Sequence, residues 1–65
     1  MSYKITLRAA RVNAGLTIEK AAAKLGINRD TLSRWERGRS YPSVLEFKLI
    51  EKLYKVKYED IEFKQ

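Results

Sequence analysis

Apolar residues recur along this chain at helical spacing, and the runs are separated by Gly, Thr, Ser and Asn, the residues that start and stop helices. A first helix is predicted at about 7–14, with Thr6 as N-cap, Leu7, Ala10 and Ala14 on one face, Arg8 and Arg11 on another, and Gly15 ending it. Thr17 caps a second helix whose Ile18, Ala21, Ala22 and Leu25 form an i, i+3, i+4, i+7 stripe. The consecutive alanines Ala21, Ala22 and Ala23 predict that another helix crosses very close. Gly26 supplies the positive φ of a sharp helix-to-helix turn, and Ile27 drops back into the core.

Asn28 is the N-cap of a third helix at about 29–37, with Leu32 and Trp35 inward and Gly38 closing it. That arrangement leaves Arg29, Asp30, Ser33, Arg34 and Arg37 pointing out, a polar face too densely functionalised for solubility alone. After the loop Arg39-Ser40-Tyr41-Pro42, the spacing of Ser43 and Glu46 predicts a capping box opening a fourth helix that runs to about Tyr54. A last short turn or fifth helix at about 58–62 returns Tyr58 and Ile61 to the core, and the tail Phe63-Lys64-Gln65 frays. No segment alternates as a strand would. The reading is an all-α, five-helix single domain over 1–65, with two helices hinged at Gly26 as a motif over about 17–37.

The fourth helix is apolar over more than one face. Val44, Phe47, Ile50 and Tyr54 suffice to pack it on the first three helices, yet Leu45, Leu49 and Leu53 add an i, i+4, i+8 row. Either Tyr58, Ile61 and Phe63 cover that row, or it is a dimer or partner surface.

Composition narrows the chemistry. The chain has 65 residues, close to the lower limit for an unaided core, so most of it must be scaffold. Without Cys or His there are no disulfides, no Cys- or His-based metal sites and no imidazole acid–base chemistry; no cofactor or small-molecule ligand is indicated, and the chain is not expected to be an enzyme. No stretch approaches the roughly 18 apolar residues of a membrane span, which predicts a cytoplasmic protein. Net charge is +6, and its placement is uneven. Residues 1–41 carry nine Lys and Arg against three acids, whereas residues 42–65 carry five lysines against five acids. Five of the six arginines lie between Arg11 and Arg39. The Arg fork suits phosphates and guanine edges, so the clustering points to nucleic acid.

The run Ser33-Arg-Trp-Glu-Arg-Gly-Arg-Ser-Tyr-Pro-Ser43 carries a family resemblance. With Leu7-Arg-x-x-Arg11, Gly15-Leu-Thr17, Ala22, Leu25-Gly-Ile27, Trp35-Glu-x-Gly38, Pro42, Leu53-Tyr-x-Val56 and Glu59-Asp-Ile61 in order, the chain resembles the Cro and phage-repressor (XRE) family of helix-turn-helix transcription regulators over about residues 5–61. The resemblance implies a lambda-repressor-like fold whose third helix lies in the major groove of double-stranded DNA.

By position, the resemblance puts Asn28, Arg29, Asp30, Ser33 and Arg34 at base edges or adjoining phosphates. Arg29 or Arg34 would make a two-pronged bond to guanine. Asp30 would accept from cytosine N4, orient Arg29 or Arg34, or favour the helix N-terminus. Phosphate contacts fall to Thr17, Lys20, Arg37, Arg39, Ser40 and Tyr41. Arg11 and Glu36 match an ion pair tying the first helix to the end of the third, in which Arg11 shares a phosphate. Trp35 reads as a core anchor. The family usually has Gln where this chain has Ile18, which cannot bond a phosphate or a base, so that contact is either lost or moved to Thr17, Lys20 or a backbone N–H. Cro-like proteins pair through the end of the fold that carries Leu45, Leu49 and Leu53, which implies a homodimer on a palindromic operator, acting as a bacterial or phage repressor without membrane or small-molecule partners. The alternative is an antitoxin or antirepressor that uses those leucines to hold a protein.

Overall fold

The computed structural model describes residues 4–63. Four α-helices form its body: α1 Leu7–Asn13, α2 Ile18–Leu25, α3 Arg29–Glu36 and α4 Val44–Tyr54. The chain then passes through a 3-10 turn at Tyr58–Asp60. Two short strands, β1 Ile5–Thr6 and β2 Ile61–Glu62, pair in parallel with Ile5 opposite Ile61.

Each helix begins where a side-chain oxygen can replace a missing intrahelical partner, or where the backbone alone turns in. Thr6 Oγ1 accepts from the Ala9 N–H and Thr17 Oγ1 from the Lys20 N–H, both at 3.1 Å. At α4 the bonds are reciprocal. Glu46 N–H donates to Ser43 Oγ at 3.1 Å while Ser43 N–H donates to Glu46 Oε1 at 2.8 Å. Asn28 has the extended backbone of a cap, but its side chain makes no capping bond.

The core is one cluster of Leu7, Ala10, Ala21, Ala22, Leu25, Leu32, Trp35, Phe47, Ile50, Tyr54 and Ile61. Ala21 and Ala22 are buried and Ala23 is exposed, so two of the three alanines let α2 lie close against α3 and α4. Ile18 and Ile27 are half-buried and pack on the rim of this cluster.

Several sequence expectations are corrected. The fifth helix at 58–62 is a 3-10 turn that leads into β2, because Ile61 is drawn into the ladder with Ile5. The described residues therefore hold four α-helices and a parallel strand pair rather than five helices. Ala14 lies at the C-cap of α1 and is exposed, whereas Arg11 is buried. Val44 is 76% exposed, since α4 turns Phe47, Ile50 and Tyr54 inward and leaves its first residue beyond the core edge. Tyr58 is exposed as well, but its ring stands 5.1 Å from that of Phe47. Phe63 is half-buried against Phe47 and Tyr41 instead of fraying; Lys64 and Gln65 lie outside the described residues.

These aromatics gather at the 41–43 loop and the first turns of α4. They therefore do not cover Leu45 and Leu49, which stay 74% and 51% exposed. Leu53 is half-buried and packs on the core.

Tyr54 is buried with its hydroxyl unpartnered among the described residues. Burial, and then the nearby Glu36 carboxylate, push its pKa up to about 12 against the opposing Arg11 charge. Tyr54→Phe removes a buried orphan donor and is expected to raise unfolding free energy by about 1 kcal/mol in a urea titration. The pH dependence changes too. Between pH 10 and about 12 the unfolded chain releases the phenol proton and the folded one keeps it, so folding loses stability as pH rises through that window. The Phe variant should lack that component of the alkaline loss. Equal alkaline profiles for parent and variant would contradict the assignment.

Candidate nucleic-acid interface

Three local devices aim the outward face of α3. Gly26, at φ 73°, turns α2 into α3 in the left-handed conformation that an L side chain rarely adopts. The Ile27 N–H donates to Ala22 O at 3.0 Å, which fixes the turn. Leu32 and Trp35 then anchor the inward side of α3. At its far end Gly38, at φ 75°, lets the Arg39 N–H donate back to Arg34 O at 2.9 Å.

A buried ion pair ties α1 to the end of α3. Arg11 Nε donates to Glu36 Oε2 at 2.7 Å and Nη2 to Glu36 Oε1 at 3.3 Å. Nη1 donates to the Leu16 carbonyl at 2.9 Å, reaching the loop that leads into α2. Arg11 and Glu36 are each only 8% exposed. The Glu36 hydrogen bonds raise the Arg11 pKa against the opposing effect of burial, so the guanidinium stays charged. Sequence reading gives Arg11 two roles, the pair and a phosphate contact. The pair is formed, and three of the five guanidinium N–H donors are used inside the protein.

On the open side, Asn28, Arg29, Asp30 and Arg34 are exposed and Ser33 is half-buried. Positions 29, 30, 33, 34 and 37 share one face of a helix with 3.6 residues per turn. Thr17 and Lys20, at the N-terminus of α2, are exposed nearby. The Thr17 oxygen is held by its capping bond, and its hydroxyl proton remains a donor. Arg37 and Arg39 are exposed beyond α3, Ser40 is half-buried, and Tyr41 is exposed with its ring edge-on to Phe63. Arg34, Arg37 and Arg39 form no ion pair among the described residues. Ile18 packs on the core from the first position of α2, where the family's Gln would face out.

One participant escaped the sequence reading. Arg29 Nε donates to Glu19 Oε2 at 2.9 Å, joining the first residue of α3 to the second of α2. The partners are ten residues apart across a turn, a separation with no helical or strand period to reveal it. Glu19's carboxyl is held below the usual carboxylate range by its own backbone N–H, and then by Arg29.

The described residues hold no cluster of acids able to bind a metal ion, and no helix among them is long and apolar enough to cross a membrane. Comparison with known proteins agrees with the geometry. The model of the helix-turn-helix family matches residues 7–61. The HTH-type transcriptional activator BcrR of Enterococcus faecalis is 31% identical over 61 residues, covering 94% of this chain and 30% of that protein. The chain thus spans about a third of the length of that relative. No solved structure gives a significant match. A Gly-hinged helix pair, braced from behind by buried side chains and matched by the family model over nearly all its length, leaves one assignment: the chain belongs to the XRE-type helix-turn-helix family.

Proposed function

We propose that this chain binds double-stranded DNA in a sequence-specific manner and regulates transcription by doing so, with α3 in the major groove. The observation that carries the reading is the contrast between the two sides of α3. Its back is held by Leu32, Trp35 and the Arg11–Glu36 pair, while its front offers Arg34, with Arg37 and Arg39 just beyond, uncovered by any carboxylate among the described residues. Asn28, Arg29, Asp30, Ser33 and Arg34 read bases. Thr17, Lys20, Arg37, Arg39, Ser40 and Tyr41 hold the sugar–phosphate backbone. Affinity comes from neutralised phosphates and selectivity from base edges.

The exposed Val44, Leu45 and Leu49 give α4 an apolar face on which two copies pair. Two-fold pairing sets two copies of α3 about 34 Å apart and makes the operator palindromic. Occupancy of promoter DNA excludes polymerase from an overlapping site, and repression follows there. The same apolar face supports a second reading, in which the domain holds a protein partner as an antitoxin or antirepressor.

Selection of bound duplexes from a random pool tests these points together. A palindrome supports paired, specific binding, whereas no salt-sensitive binding to any duplex favours the protein partner. On the selected site, Arg34→Ala should relax base choice at one position by about 1–3 kcal/mol. Arg39→Ala should weaken specific and random duplexes alike and reduce the salt slope by about one. Uniform losses for Arg34→Ala, or an unchanged slope for Arg39→Ala, would exchange or remove those roles in anisotropy titrations.

A further inference from the structure

Residues 1–41 contain only three acids, Glu19, Asp30 and Glu36. Glu36 is buried with Arg11, which leaves two carboxylates on the basic side of the molecule. On a surface that meets a polyanion each of them repels the ligand. Glu19 is the one with a partner, Arg29.

The pair contributes little to folding. Its side chains are 55% and 65% exposed, and such ion pairs are worth little in water. Its effect is geometric. A guanidinium on three methylenes samples many rotamers, and a bond at Nε restricts both its plane and its direction. The hydrogen bond from Arg29 to Glu19 is made through Nε, so the terminal Nη1 and Nη2 groups of this half-exposed side chain remain as donors. Two such donors in one plane are what guanine O6 and N7 accept. Asp30, which sequence reading offers as a partner for Arg29, forms no ion pair among the described residues.

Resting on the reading of α3 as the base-reading helix, we propose that Glu19 is a positioning residue for Arg29. From α2 it holds the guanidinium so that the free edge addresses a guanine, and thereby sets base preference without touching DNA. Its carboxyl stays ionised across the neutral range, so the restraint is present whenever the protein binds.

The test uses the full chain on duplexes built from the selected site, each carrying one base-pair change. Glu19→Ala is expected to reduce preference at a single position by about fivefold to tenfold, at the same position that Arg29→Ala flattens. The double variant should lose nothing further there. Random duplex should bind Glu19→Ala as tightly as the parent or more tightly, because a negative charge has left the face. Glu19→Gln keeps an acceptor oxygen without the charge, and should retain most of the preference.

Equal behaviour of the Ala and Gln variants, with all sequences bound more tightly and preference intact, would overturn the proposal and leave Glu19 as a charge that merely weakens binding. Preference at the Arg29 position that survives Arg29→Ala would overturn it as well. Failure of the parent to bind any duplex is a different result, and removes the DNA-binding reading itself.

Discussion

Glu36→Ala is expected to cost about 3–5 kcal/mol of unfolding free energy, because it strands the Arg11 guanidinium in a site from which water is largely excluded. Two of the three nitrogens of Arg11 lose their acceptor, and the Leu16 carbonyl alone does not replace a carboxylate. A domain of this length has only about 3–10 kcal/mol in total. The variant should therefore be partly unfolded near 37 °C by circular dichroism, with a urea midpoint displaced far below the parent's. Arg11→Met combined with Glu36→Leu removes both charges and should recover most of that loss, since apolar side chains of similar volume replace a buried pair at little net cost. A Glu36→Ala variant within about 0.5 kcal/mol of the parent would mean that the pair is solvated in solution.

The double variant also separates folding from function. The pair stabilises the domain only in the sense that breaking it is harmful; what it fixes is the angle between α1 and the end of α3. A folded protein with an apolar contact in its place should hold random DNA through the same arginines, while discriminating less among bases.

Leu32→Ala is the second large expected effect, about 2–5 kcal/mol, from the lost transfer energy and the cavity left behind. Leu32 is fully buried, and it lies on the opposite side of α3 from Arg34. No other side chain in α3 is buried so completely. Leu45→Ala is the matched control. Leu45 is equally hydrophobic but largely exposed in the single copy, so in protein dilute enough to keep copies unpaired its truncation should change stability by less than about 0.5 kcal/mol. Urea titrations of the two variants with unchanged m-values decide the point. Similar costs at both positions would show that Leu45 is covered in solution, as self-pairing through α4 would do.

The difference between Leu32 and Leu45 shows what the sequence makes legible. Where a stripe, a cap and a glycine agree, as from Thr17 through Trp35, helix limits and the central buried positions Ala21, Ala22, Leu25, Leu32 and Trp35 can be read directly, while Ile18 and Ile27 reach only the rim. Local rules suffice there because each constraint acts within one or two turns. The departures depend on distant partners. Arg11 follows the polar side of the α1 pattern, yet Glu36 and the Leu16 carbonyl draw it inside. Val44 has the apolar character of Phe47, but only the remainder of the fold decides where the core ends. Two-residue strands contain too few residues for alternation to be visible, so β1 and β2 could not be anticipated from periodicity. The Glu19–Arg29 bond depends in the same way on how α2 and α3 cross.

The pairing of Ile5 with Ile61 also bears on how quickly the domain assembles. α2 and α3 meet across a short turn, whereas this ladder closes a loop around almost the entire fold and gains its hydrogen bonds only after that entropy has been lost. α2, its turn and α3 can therefore become ordered before the ladder forms. On a nascent or transiently opened chain, the basic helix pair is the part that can exist first and the strand pair the part that completes it.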